Sequence, residues 1–353
     1  MSSLYSKSHV IYINNQYREQ REIDYNALFY IRHVSRDVQK RQRFIERNLE
    51  NLQDVIASQE EPKVDIGRHC RRPLNCSFIS YCWKEVPHPS IFDLKGVPIK
   101  TKFELFHEGK QYFEDAKDDL EYTEKQQHQI EVENTGVPYI NKVKLREFLD
   151  QFIYPISYLD FEAIQAPVPL YNGDKPFQQI PFQFSLHIHM SPNETVIHRE
   201  FLASENEDPR PGLAEALLKN IPQEGSIIAY NSSFEGQVFS QLGELFPDKK
   251  ERFMQMKSRL IDLMIPFLKQ YIYTKEMQAS HSIKKIAPAL VPELSYEELD
   301  IPHGEMAGQS FLSLNQLTNT AEKDAIKQAL LTYCKLDTFS MVKLVEVLTS
   351  LSS

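Results

Sequence analysis

The sequence predicts an α/β fold, a mixed sheet flanked by helices and preceded by a small α+β segment, and three observations carry that prediction. Residues 182–190 and 195–202 are strand-like runs joined by Ser191-Pro-Asn, which reads as an antiparallel hairpin. After a helical stretch, Ser226 to Tyr230 (SIIAY) is the short, wholly apolar kind of strand that is buried on both faces. Strands, then a helix, then a buried strand point to one mixed sheet with helices packed on it.

Taken in order, His9 to Ile13 reads as a strand with a polar turn at Asn14 and Asn15. From Asp24 to about Ser58 the spacing of Leu28, Ile31, Val34, Val38, Phe44, Leu49, Leu52 and Val55 predicts a helix whose apolar stripe needs a partner surface. The segment therefore reads as the tail of a domain whose body is missing. Residues 84–130, with Pro87, Pro89 and Pro98, read as a connector carrying one or two helices. Asn141 to Phe152 gives a short helix before an apolar run from Tyr154 to Ile164. Pro211 to Asn220 gives another helix. Beyond Ser232 the pattern is helical almost to the end, with breaks expected at Pro247, Pro266, Pro288, Pro292 and Pro302. These readings divide the chain into residues 1–90, a connector at 91–150, and a main domain at 151–353.

The totals narrow the function. With 353 residues, 41% hydrophobic and 25% charged, the composition is that of an ordinary globular protein. No apolar run reaches membrane-spanning length, and the amino terminus lacks the features of a signal peptide, so a cytoplasmic location is expected. The Asn193-Glu-Thr and Asn231-Ser-Ser matches to the glycosylation pattern then carry no meaning. Net charge is −9, distributed as +3 over residues 1–90 and −12 over the remainder, which excludes a protein that coats nucleic acid by bulk attraction. An acidic domain still acts on nucleic acid when its acids gather around metal ions.

Three acidic motifs fit that condition. Asp160-x-Glu162 lies within the apolar run, and on a strand residues two apart share a face, setting the carboxylates roughly 7 Å apart. Such a pair is either solvated at a sheet edge or held by a hard cation such as Mg²⁺ or Mn²⁺. Asn231 and Glu235 sit where the buried strand gives way to a helix, the usual place for a site in an open sheet. Ser232-x-x-Glu235 is also a capping box, and spacing alone leaves both readings open. Tyr333 and Asp337 are four apart on the last helix and share a face. Asp262, inside another apolar segment, is a weaker candidate, with a simple salt bridge as its alternative.

Elsewhere, Cys70, Cys76 and Cys82 are evenly spaced within a loop rich in Gly, Pro and Arg, with Trp83 directly after. Such clustering suits zinc or an iron–sulfur cluster, with His69 as a further ligand, or three reduced thiols in a packed knot.

In that order, Asp160-x-Glu162, Asn231-x-x-Phe234-Glu235 and Tyr333-x-x-x-Asp337 resemble the DEDD superfamily of 3′ to 5′ exonucleases with the ribonuclease H-like fold, in the subgroup with Tyr in the third motif. Glu235 departs from the Asp usual there. The longer wording, YLDFEAIQAPVP, YNSSFE, SIKKIAPALVPELSYEELDIPHGEMA and YCKLDT, resembles the bacterial family described as domain of unknown function 2779, over about residues 60–350. HCRRPLNCSFISYCW is similar to the cysteine triplet that closes certain PD-(D/E)XK nucleases, which hold a four-iron cluster with one further cysteine upstream. That upstream region is absent here, and Cys334, inside the third motif, is a poor substitute for the missing thiolate. The resemblance thus implies a PD-(D/E)XK remnant followed by an exonuclease domain.

What the resemblance implies for mechanism is a two-metal hydrolysis of DNA or RNA. Asp160 would bridge two Mg²⁺ or Mn²⁺ ions, with Glu162, Asp337 and Glu235 completing the ligand set. Tyr333 would orient the attacking water, and Asn231 and Phe234 would contact substrate. The expected partners are nucleic acid and a helicase or nuclease protein. The competing expectation is a catalytically weak nucleic-acid-binding or interaction module left by truncation.

Overall fold

The computed structural model describes residues 7–18, 22–192, 194–297, 299–301 and 303–353, so residues 1–6 and 19–21 together with Asn193, Glu298 and Pro302 lie outside the described part. The chain divides into two compact units, residues 1–84 with 165–179, and residues 85–164 with 180–353.

In the first unit, β1 (His9–Ile13) pairs antiparallel with β2 (Phe29–His33), which follows the single turn α1 (Tyr25–Leu28). The expected helix from Asp24 is therefore interrupted. Leu28, Ile31 and Val34 fit a helical stripe, but Phe29-Tyr-Ile-Arg-His is an equally good strand, and the Tyr12–Tyr30 and His9–His33 ring pairs hold it in the hairpin. Asp24 caps α1, accepting hydrogen bonds from the Asn26 and Ala27 amides. The helical pattern proper is α2 (Ser35–Ala57), and none of its residues is buried. The cysteine loop contains the short helix α3 (Ile79–Cys82).

The second unit begins with α4 (Ile99–His107) and α5 (Glu124–Thr135), which enclose a small core of Ile91, Leu94, Leu105, Phe113 and Ala116. Residues 91–150 thus do more than connect. β3 (Tyr139–Ile140) pairs with β9 (Ile272–Tyr273), and α6 (Lys142–Leu149) packs on the terminal helix α13 (Thr320–Ser352).

The centre is a five-stranded mixed sheet in the order β6-β5-β4-β7-β8. β4 (Ile156–Gln165) lies between β5 (Gln179–His189) and β7 (Ile227–Ala229). β5 runs antiparallel to β6 (Ile197–Leu202), the predicted hairpin, and β7 runs parallel to both β4 and β8 (Leu260–Asp262). β8 was not expected in a region whose pattern reads as helical. Its three half-buried residues are too few to set a period.

Two cores cover the two faces. Ile156 and Tyr158 of β4 point into one with Met341, Leu344 and Leu348 of α13 and with α11 (Ile283–Leu290). Leu159 and Phe161 point into the other, beneath α7 (Pro209–Asn220), α8 (Ser233–Leu245) and α9 (Lys250–Ser258). α10 (Ile265–Leu268) and α12 (Gly304–Ser313) complete the unit. Pro288 does not break α11; it sits in the helix's last turns. Among the described residues no helix is long and apolar enough to cross a membrane.

One turn shows how tightly the centre is assembled. Gly225, at φ +85°, passes so close to the start of β4 that a Cβ there would fall 1.9 Å from the Pro155 carbonyl oxygen. On either side, the Ser226 amide donates to the Ile153 carbonyl and the Ser157 amide to the Ser226 carbonyl.

Candidate active site

Because β4 alternates, Asp160 and Glu162 share the face of Ile156 and Tyr158, the one covered by α13. They occupy the end of that core where apolar packing stops. Glu162 is buried, and ligand atoms of Asp160, Glu162 and Cys334 lie within 4.8 Å of one another. The Cys334 thiol, on α13, donates to Asp160 Oδ2 at 3.4 Å.

Helix α13 supplies Tyr333 and Asp337 one turn apart on its buried side, as their spacing predicts. Glu235 arrives from the first turn of α8, immediately beyond β7. The capping box does not form: Ser232 makes no capping hydrogen bond, and Glu235 is 2% exposed with Oε2 unpartnered. Its carboxylate therefore does not close the helix as half of a capping box.

Asn231 lies at the strand-to-helix turn with φ +63°, a left-handed conformation that Asn tolerates better than most residues. Its amide donates to Asp262 Oδ1 at 2.9 Å, and the Met264 amide donates to the same oxygen at 2.9 Å. Asp262 thus fixes the backbone of two loops, where the sequence suggested a salt bridge. Phe234 is half-buried and packs against the second core.

The electrostatics are those of crowded carboxylates out of water. Burial, then the charges of Asp337, Glu162 and Glu235, push the Asp160 carboxyl well above its usual range. Burial and Asp337 push Glu162 up to about 8, with Lys284 opposing, and burial with a contribution from Asp262 pushes Glu235 up to about 8. Asp337 rises to about 6 through burial, offset by the Tyr296 hydroxyl, Lys284 and the Tyr333 hydroxyl. Asp160 therefore feels the other three predicted acids, and Glu162 feels Asp337 and Glu235. Burial also raises the Tyr333 phenol, which stays protonated at neutral pH.

Three residues at the site escape the sequence reading. Lys284 of α11 donates to the Tyr333 hydroxyl at 2.9 Å, and its ammonium lies 4.7 Å from the centre of that ring. Tyr296 donates to Ser340 Oγ at 2.9 Å beside Asp337. Cys334 reads in sequence only as a poor cluster ligand. The stretch from Ser282 to Ala307 held the signal for the first two, since its wording carried the family resemblance without a role for any one residue.

Oxygen donors of this kind suit a hard divalent cation. Glu235 Oε2 and Asp337 Oδ1 are buried with no hydrogen-bond partner, and a buried carboxylate oxygen in that state needs a cation or a proton. The four acids fit Mg²⁺ or Mn²⁺, whereas Cys334 adds a soft ligand atom. In the first unit, Cys70 is buried, Cys76 half-buried and Cys82 exposed, all as free thiols.

No curated protein and no solved structure matches the chain. A family match runs from Ser157 in β4 to Ser282, including Asp160, Glu162, Asn231 and Glu235 but stopping before Lys284, Tyr333 and Asp337, and so is narrower than the resemblance over about residues 60–350. It assigns residues 157–282 to a domain of unknown function, DUF2779.

Proposed function

We propose that the chain is a metal-dependent 3′ to 5′ exonuclease that hydrolyses phosphodiester bonds of DNA or RNA, with a ribonuclease H-like domain of the DEDD type in its Tyr subgroup. The observation that carries this reading is the convergence of Asp160, Glu162, Glu235 and Asp337 from a strand and two helices, with buried oxygens on two of them left unpartnered. Like charges in one buried place are unfavourable unless a cation or protons neutralise them. The ordered motifs Asp160-x-Glu162, Asn231-x-x-Phe234-Glu235 and Tyr333-x-x-x-Asp337 supply the family-level support. The same resemblance relates the loop of Cys70, Cys76 and Cys82 to PD-(D/E)XK nucleases.

Under this reading Asp160, Glu162, Glu235 and Asp337 hold two Mg²⁺ or Mn²⁺ ions. When bound, such ions polarise the phosphate and activate water. Tyr333 holds and orients that water as a hydrogen-bond donor, because its phenol keeps its proton while its oxygen accepts from Lys284. Lys284, adjacent to Glu162 and Asp337, moderates the negative field when the acids ionise. Asn231 holds the turn that presents Glu235. The test is incubation of the purified chain with 5′-labelled single strands of DNA and of RNA, with and without Mn²⁺. Stepwise shortening from the 3′ end that needs Mn²⁺ is expected; strands that stay intact in Mn²⁺ overturn the proposal.

A further inference from the structure

Away from the acids, the second unit concentrates positive charge around one concavity. Lys95, Lys125 and His281 line a cavity of about 270 Å³ whose floor includes Phe267 and Tyr273. Lys95 is fixed at its backbone: its amide donates to Gln129 Oε1 at 3.1 Å, and its carbonyl accepts from Gln126 Nε2 at 2.8 Å. Lys125 gives one hydrogen bond, to the Leu268 carbonyl at 3.2 Å. Among the described residues neither lysine has an ion pair with an acid, although residues 91–353 carry a net charge of −12. The charges acting on the His281 imidazole are these two lysines, which with burial hold it below its usual range, so it is a neutral donor or acceptor. Two exposed lysines, one of them held by its ammonium to the cavity wall, and an imidazole around one cavity are the chemistry that receives a phosphate.

The cavity is wired to the acidic site through its own wall. The His281 carbonyl accepts from the Tyr230 hydroxyl at 2.8 Å, and Tyr230 directly precedes Asn231. Lys284, three residues after His281, donates to Tyr333. Three residues span at most about 10 Å, so the two places lie within the reach of a few nucleotides of one strand.

We infer that the Lys95/Lys125/His281 cavity is a subsite for a backbone phosphate of the nucleic-acid strand whose 3′ end occupies the acidic pocket. The inference rests on the exonuclease reading for the second half of that statement only. Contacts to phosphate set affinity and register without reading sequence, which suits a nuclease acting on successive nucleotides.

The test uses the full chain and a Lys95→Ala/Lys125→Ala double variant, with folding checked by thermal unfolding. Binding of a fluorescent single-stranded ten-nucleotide probe is measured in EDTA across a salt series, so that no cleavage is required. The variant is expected to bind at least ten-fold more weakly, with a log–log salt slope shallower by about 0.7 for each phosphate that it no longer neutralises. Turnover of the nitrophenyl ester of thymidine 5′-monophosphate in Mn²⁺, a substrate with no upstream phosphate, is expected to be unchanged. An unaltered salt slope overturns the inference, as does a parallel loss of ester turnover. Displacement of the probe by thymidine 5′-monophosphate at concentrations where inorganic phosphate has no effect assigns the cavity to a free nucleotide and overturns the strand assignment. A wild-type chain that binds the probe but cleaves neither substrate removes the exonuclease reading, while the salt slopes still decide the subsite.

Discussion

Helix α2 and strand β4 both carry rows of apolar side chains, and the molecule treats them in opposite ways. Along α2 the apolar stripe stays in water, with Phe44, Leu49, Leu52 and Ile56 all more than half exposed. Along β4 even charged residues are withdrawn from it, Glu162 being 7% exposed. Periodicity supplies an apolar face, but only a second layer turns that face into a core, and β4 has helices over both of its sides. The difference teaches that packing and crowded acids are concentrated in the same element: β4 carries the centre of two cores and the start of the acidic cluster.

The largest expected effect tests the chemical half of this contrast. Asp160→Asn and Asp337→Asn should each lower Mn²⁺-dependent nucleotide release by roughly a thousand-fold, the several kcal/mol expected when a metal ligand is removed. The same variants should be no less stable than the parent in EDTA at pH 8, because each removes one carboxylate from a crowded set whose mutual repulsion opposes ionisation. A parallel loss of melting temperature would mean that these residues support the fold and not the chemistry.

The packing half is tested next. Phe184→Ala, at a fully buried position of β5, is expected to destabilise by about 3–5 kcal/mol in urea unfolding. Leu52→Ala on α2 should stay within about 0.5 kcal/mol of the parent, since Leu52 is 56% exposed. Gly225→Ala should behave like a core substitution, costing about 3 kcal/mol or more, because its new methyl would overlap the Pro155 backbone.

A smaller effect should appear in the pH dependence of stability. Glu162 and Glu235 have folded-state values raised to about 8. Their contribution is fully present below the ordinary Glu value and is lost as pH rises through about 8. In EDTA the melting temperature should therefore fall between pH 5 and pH 8.5. Added Mn²⁺ should raise it more at pH 8.5 than at pH 5.5, because at the lower pH the ion must displace protons. Equal stabilisation at both values would argue against these carboxylates as ligands. The smaller effect on turnover is expected of Lys284→Met: nucleotide release falls about ten-fold. Its acid limb moves to higher pH, since the ammonium that favours ionised Glu162 and Asp337 is gone.

Much of the main sheet was legible before folding. The β5–β6 hairpin, the buried β7 and the helix α13 follow from period and length, and Asp160, Glu162, Tyr333 and Asp337 could be set on common faces by counting. β2 was not legible because Leu28, Ile31 and Val34 satisfy a helix equally well, and β8 because its three half-buried residues neither alternate nor form a wholly apolar run between turn signals as β7 does. The use of Glu235 was undecided in sequence because a capping box and a ligand share one spacing; only the unpartnered Oε2 separates them. Lys284 and Tyr296 reach the acids from a helix and a loop remote in sequence, so that no local pattern announces them.

Helix α12 begins directly over Glu162, where a Cβ on Gly304 would stand 3.2 Å from Oε2, and one turn later a Cβ on Gly308 would stand 3.0 Å from the Ala163 carbonyl oxygen. At these two positions the helix brings its main chain, and no side chain, against β4. A side chain at 304 would meet the Glu162 carboxylate before anything else, so the absence of one leaves that acid its place on β4, and a bulkier residue there would act by displacing the carboxylate itself.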